Sequence, residues 1–430
     1  MLHRSLGTAL AVATFATAGC DNFLEVENPA VVEASTVDPV ADAPVFSLSA
    51  QTDMWEAYDD VAVYGGWFSG EIWVDDTFPT RNDIAKRVID PRNNGTLNTE
   101  LYTPLQRAIA GNHRVLRLLA GTASENSIHA QRAAMNLGFS LALLAETFCQ
   151  GVISQGAQQL GTPLTPAQTL DSAVVYFQRA INMRGQITGT DTVEAKNNLY
   201  ASRIGLARAY LQKGDNQNAA AAAQAALTSG APASFEYRAL KVDDPSNRTR
   251  LGNTQYYFTV LRPNLVAPPY LRALNDPRIG STRTGQPPTG QGGQLVFWAQ
   301  TKFPNWNSPV RIASLLEARY IQAEAQLKLG NPAPATTLIA ERRAAGSTVE
   351  GDDFATGNPT LIQLMDQLTR DFWMEAKHLP AWRRNSNETP YAPRAGTPYY
   401  ISVFGGPYGN QTCMPLPVAE TDNNPNFPRA

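Results

Sequence analysis

Residues 198–228, NLYASRIGLARAYLQKGDNQNAAAAAQAALT, decide how the rest of the chain is read. Leu199, Ile204, Leu206, Ala207, Tyr210 and Leu211 recur at helical spacing, Gly214 and Asp215 interrupt, and an alanine-rich second helix follows. Gly214 can take the left-handed conformation that ends a helix cheaply. The small side chains of residues 219–223 let the second helix approach the first closely. This is a helical hairpin of tetratricopeptide type, and one such hairpin cannot bury its apolar face alone.

Partners occur elsewhere in the chain. Residues 311–344, RIASLLEARYIQAEAQLKLGNPAPATTLIAERRA, repeat the plan, with an apolar stripe through Leu315, Leu316, Ile321, Ala325 and Leu329 and a break at Gly330-Asn331. Looser versions cover residues 101–119 and 130–183. Each match alone is equally an ordinary helical hairpin; several in one chain argue for degenerate repeats separated by insertions. The expected fold is mostly α: helical repeats over about 98–229 and 311–346, an irregular insertion over about 230–306, then a helix over 361–378 and an extended tail without a good helix, together filling 361–430.

The chain opens with His3 and Arg4, an apolar run over residues 6–18 too short to span a bilayer, and small residues before Cys20. This pattern reads as a signal peptide over residues 1–19. Ala18-Gly19-Cys20 is similar to a bacterial lipobox, so Cys20 is the candidate lipid-attachment residue, residues 20–37 a lipidated tether, and residues 38–430 a single domain. No later segment is apolar for long enough to cross a membrane. A formal net charge of −3 over 430 residues, with no basic block, gives no reason to expect a nucleic-acid partner.

Two stretches concentrate candidate ligand-binding residues. In residues 53–87, tryptophans on a helix belong more often to a core than to a ligand platform, but Asp75-Asp76-Thr77-Phe78-Pro79 shows the chain leaving helix beside Trp73. Trp73 and Asp75 are therefore candidates. Within the insertion, Pro and Gly multiply, short β-prone runs occur at 256–261 and 295–299, and residues 285–293, GQPPTGQGG, read as a flexible loop. Trp298, Phe303 and Trp306, with Gln300, Lys302, Asn305 and Asn307, suit stacking and hydrogen bonding to a sugar; they serve equally well as a staple holding the insertion to the scaffold.

The chain offers an enzyme little. None of the four histidines stands at metal-ligand spacing. Gly138-Phe139-Ser140-Leu141-Ala142 approaches a hydrolase nucleophile elbow but lacks its final glycine and lies in a helical run. The pairs Asp59-Asp60, Asp75-Asp76, Asp243-Asp244 and Asp352-Asp353 are adjacent, so their side chains diverge and do not form a glycosidase pair by themselves. Asp352, Asp353 and Asn358 match no calcium-loop frame. No catalytic residue, metal or cofactor is expected. Once Cys20 is taken by lipid, Cys149 and Cys413 are the only candidates for each other in an oxidising compartment, with two buried free thiols as the alternative.

Over its full mature length the chain resembles the SusD/RagB family of outer-membrane nutrient-binding lipoproteins. The resemblance rests on Cys20 followed by DNFLEVENP, the repeat hairpins, the turn Leu274-Asn275-Asp276-Pro277-Arg278, ARYIQAEAQLKLGN, TRDFWMEAKHLPAWRR and MPLPVAETDNNPN. Lys377 and His378 stand where the family usually has a glycine and a neighbour. The resemblance implies a tetratricopeptide scaffold with an irregular ligand-binding half. It also implies a surface-exposed, lipid-anchored position on the outer membrane, a SusC-type TonB-dependent barrel as partner, and an oligosaccharide or other nutrient as ligand. A repeat lipoprotein that scaffolds envelope proteins is the other reading, and it leaves the aromatic-rich insertion unexplained.

Overall fold

The structure is a computed structural model describing residues 37–74, 78–154, 160–240, 267–283, 298–305, 308–351, 354–401 and 404–428. The signal peptide, Cys20, most of the tether, Asp75, Trp306, Asn307, Asp352, Asp353 and the β-prone run at 256–261 lie outside these residues.

The hairpin that opened the reading is present as α6 (Thr192–Gln212) and α7 (Asn216–Leu227). Gly214 joins them at φ 80, a left-handed conformation. The Asp215 side chain caps α7 by accepting the Asn218 N–H. Ala219, Ala220 and Ala223 are buried against Ala207 and Leu211 of α6 and Ile321 and Ala325 of the next repeat, where side chains this small let the backbones come close. That repeat pairs α9 (Leu315–Lys328) with α10 (Ala333–Ala345) across Gly330, again left-handed at φ 88.

At the centre runs α4 (Ile128–Thr147), buried along almost its whole length, as expected of a helix apolar on every face. It packs against α1 (Ala43–Ser69), α3 (Thr103–Leu119), α5 (Pro166–Met183), and α6. Gly138 of α4 lets the Phe177 ring of α5 come close: a Cβ there would meet the ring at 2.8 Å. Ser140, in the elbow-like sequence, is fully buried mid-helix and donates its hydroxyl to Asn136 O. The segment is helical core.

Three findings correct the expected boundaries. Residues 311–314 do not start the repeat helix. They belong to strand β6 (Val310–Ser314), antiparallel to β3 (Glu236–Ala239) and the start of α9 only through the Ser314 cap. The helix expected over 361–378 is split. α11 (Pro359–Asp371) ends in a turn where Met374 (φ 61) and Ala376 (φ 55) are left-handed without being glycine, and α12 (His378–Arg384) begins afterwards. Glu71 takes the Met374 N–H, Lys302 takes Trp373 O and Glu375, and these ties hold the turn in a conformation costing about 1–2 kcal/mol per residue. The tail, finally, contains one short helix, α13 (Val418–Asn423).

Two other short antiparallel pairs occur: β1 (Gly151–Val152) with β2 (Pro163–Leu164), and β4 (Ser281–Arg283) with β5 (Trp298–Gln300). Cys149 and Cys413 are bonded as a disulfide, their Cα atoms 5.1 Å apart. Beside them the Cys149 N–H donates to Met414 O at 2.9 Å and the Met414 N–H to Thr147 O at 3.0 Å, so the tail runs along the end of α4 as a short strand. α2 (Pro79–Lys86) and α8 (Pro269–Arg272) complete the helices the site needs.

Candidate functional site

The chain leaves α1 at Gly70, whose φ of 83 and contact with Pro393 leave no room for a side chain. Three residues later it presents Trp73, as the Asp75–Pro79 sequence suggested. The indole stacks on Tyr400, centroids 4.0 Å apart and planes 3° from parallel, and meets Tyr270 edge-on at 5.9 Å. Tyr400 is pinned by its hydroxyl, which accepts the Val74 N–H at 2.7 Å and donates to Val74 O at 3.0 Å. Tyr270 is pinned likewise, donating its hydroxyl to Gly70 O and stacking on the buried Tyr391 at 5.8 Å. Tyr391, Tyr270, Trp73, Tyr400 and Tyr399 thus form one ring array across segments far apart in sequence.

Beneath it, Trp373 donates its indole N–H to Glu71 O at 3.0 Å, and Glu71 is fully buried. Burial pushes the Glu71 carboxyl up to about 8, against the pull of the Met374 N–H that it accepts.

Trp298 comes from the insertion. It starts β5, accepts the Ala267 N–H through its carbonyl at 3.2 Å, and has the Arg272 guanidinium 4.3 Å from its ring centroid. Arg272 and Tyr270 share the four-residue α8, so this helix links Trp298 to Trp73. Arg272 Nε and Trp73 Nε1 are buried with no hydrogen-bond partner among the described residues.

The remaining candidates divide. Gln300 and Phe303 are buried and hydrogen-bonded to each other through the Gln300 amide and the Phe303 backbone, which makes them the staple. Lys302 serves the same end through Glu375 at 2.7 Å. Asn305 is exposed, its N–H donating to Ser308 Oγ, and no bond among the described residues ties it to the rings. The reading of single residues passed over Tyr270, Arg272 and Tyr400. The sequence signals that mark them are Pro268-Pro269-Tyr270 just ahead of the Leu274–Arg278 turn, and the doublet Tyr399-Tyr400 in a tail otherwise poor in structure.

That turn is the joint between site and scaffold. Asn275 is left-handed at φ 47, and Asp276 accepts from the Arg278 N–H, the Arg278 and Arg370 guanidinia and the Ser347 N–H. Arg278 also reaches Asp371, which binds Arg342 and the Tyr320 hydroxyl. These donors hold the Asp276 carboxyl well below the usual carboxylate range although burial opposes them.

His378 is buried with its ring nitrogens on Ser69 Oγ and Pro390 O, both at 2.9 Å, and His113 lies edge-on to Tyr176. Among the described residues no group of three His, Cys, Asp or Glu is placed to hold a metal ion, and no helix is long and apolar enough to cross a membrane. A cleft of about 650 Å³ between α1, α6 and β3, lined by Trp55, Glu194, Asn197 and Arg238, contains none of the predicted residues.

Tetratricopeptide-type hairpins, a long insertion closed by a strand pair, and an aromatic array at the junction define a SusD-like fold. No protein-family model matches the chain, and no curated protein matches it. Solved structures do. A SusD superfamily protein from Bacteroides thetaiotaomicron superposes with a TM-score of 0.67 at 17% identity, covering 91% of this chain and 100% of its own. Surface glycan-binding protein A from the same organism, solved in complex with laminarihexaose, gives 0.68 at 13% identity over 90% of this chain and 98% of its own. A SusD-like carbohydrate binding protein from Bacteroides vulgatus gives 0.61 at 16% identity over 84% and 86%.

Proposed function

We propose that this protein binds a nutrient, an oligosaccharide, at the face built from Trp73, Tyr270, Trp298 and Tyr400, and delivers it to a SusC-type TonB-dependent outer-membrane barrel. Asp75, Asn305 and Trp306, singled out in the sequence, are further candidates for contact with the ligand. Lipid on Cys20 holds the protein on the outer membrane, on the cell surface. The observation that carries this reading is the match over 90% of the chain to a surface glycan-binding protein solved with laminarihexaose, joined to aromatic rings anchored by their hydroxyls and standing beside donors unpaired among the described residues. Sugars present apolar faces and hydroxyl edges, and such a surface offers a partner for each. No bond is made or broken.

Titration calorimetry against a panel of oligosaccharides tests the reading. Stacking on an aromatic ring contributes roughly 0.5–1.5 kcal/mol beyond area burial, so Trp298→Ala and Trp73→Ala should each weaken binding by up to about tenfold. Folded variants that bind like the parent would place the ligand elsewhere. Co-purification of a large barrel from the native membrane in mild detergent tests the delivery step.

A further inference from the structure

The geometry points to an anionic saccharide, one carrying carboxylate or sulfate groups, as the ligand of this face; the inference rests on the glycan-binding reading above. It starts from Arg272, whose guanidinium lies over the Trp298 ring and whose Nε is buried without a hydrogen-bond partner among the described residues. Two other arginines of the region are answered by acids, Arg278 by Asp276 and Asp371 and Arg311 by Glu375 and Glu236, while Arg87 donates to Pro393 O. Arg272 has no carboxylate at ion-pair distance among the described residues, and burial alone pushes its guanidinium down, with no acid pulling the other way.

A second arginine lies across the ladder from Trp298. Arg283 is the cross-strand partner of Trp298 in the β4–β5 ladder, and directly opposed residues of an antiparallel pair project from the same face. Arg283 is exposed and likewise has no acid partner among the described residues. One guanidinium therefore covers the half-buried indole, and a second arginine is its neighbour across the strand pair.

A neutral sugar needs the indole and a few hydrogen bonds; it does not need two arginines that lack an acid partner among the described residues. Guanidinium is planar, weakly hydrated and shaped to bond a carboxylate or sulfate in bidentate fashion, and Arg272 is pre-set by its stacking. Stacking the sugar ring on Trp298 brings its acidic substituent within reach of donors that lack one.

The test is calorimetry on the full mature protein with three hexasaccharides: hexagalacturonate for carboxylate, a carrageenan oligomer for sulfate, and laminarihexaose as the neutral reference. Charge-assisted hydrogen bonds support the expectation that at least one acidic ligand binds roughly tenfold to a hundredfold tighter than the neutral one. Which acid wins identifies the source of the charge. Arg272→Gln should remove that preference, Arg272→Lys restore part of it, and raising salt from 50 to 300 mM should weaken acidic binding only. Arg283→Gln, on an exposed strand, gives the same reading should Arg272→Gln fail to fold. Equal or tighter binding of laminarihexaose, or acidic binding indifferent to both arginine variants, overturns the inference and leaves the proposed function standing. Failure of every saccharide to bind overturns both.

Discussion

Replacing Cys149 and Cys413 together by serine asks what the tail's covalent tie contributes. The two residues are 264 apart, and closing a loop of that length removes chain entropy from the unfolded state corresponding to about 5.5 kcal/mol at 25 °C. This is an upper figure, because residual structure in the denatured chain lowers it. The folded tail has other holds: two backbone bonds to the end of α4, the fully buried Met414, and the Tyr102 hydroxyl on Glu420 at 2.9 Å. The double serine variant of a soluble form beginning after Cys20 should therefore fold with an unchanged near-ultraviolet spectrum and an intact tail under brief native proteolysis. In denaturant unfolding it should lose roughly 3–5 kcal/mol relative to the oxidised parent. A loss below about 1 kcal/mol refutes the unfolded-state argument. Rapid native cleavage within residues 404–428 refutes the claim that the other contacts dock the tail. Thiol counting on the denatured, unreduced parent should find no reactive group, and two would remove the premise.

Three further outcomes follow from the structure. Burial lowers His378 from 6.5 to about 4, so the unfolded chain takes a proton that the fold refuses as pH falls through that window. Stability should drop by roughly 3 kcal/mol between pH 6.5 and 4 from this residue, with His113 adding in the same direction, and His378→Gln should flatten the pH profile measured by urea unfolding. Gly205 of α6 backs directly onto the Phe177 ring, so Gly205→Val should cost at least roughly 2 kcal/mol, and combining it with Phe177→Ala should cost less than the two changes summed in a double-mutant cycle. Cys20→Ser should release the protein wholly into the soluble fraction of its host, and unchanged membrane association would contradict lipid anchoring there.

What the residues made legible was whatever local period and local chemistry decide. The hairpins around Gly214 and Gly330 could be read because each break has its own glycine. The Cys149–Cys413 pair followed from there being no other partner. The reading failed where distant groups set the backbone. Nothing near Met374 and Ala376 announces left-handed residues, because the ties that hold them come from Glu71 and Lys302. Val310–Ser314 reads as helix because its apolar run joins that of α9, and only β3, some 70 residues earlier, makes it a strand. At the site, Trp73 and Trp298 were visible as tryptophans in irregular sequence, whereas Tyr270, Arg272 and Tyr400 gain meaning only from rings they meet across the fold.

The neck of the insertion has a bearing on how such a protein changes over generations. Ala239 and Val310 are ladder partners, so residues 240–309 leave and rejoin the helical body at adjacent points. Chain between two fixed, neighbouring ends can double in length for only about 0.6 kcal/mol of added closure entropy. The helices constrain it where it ties back to them, at the Asp276 joint with Arg370, at Lys302 on Trp373 O and at Tyr270 on Gly70 O. The sequence between those ends can change in length while the hairpins are inherited unaltered.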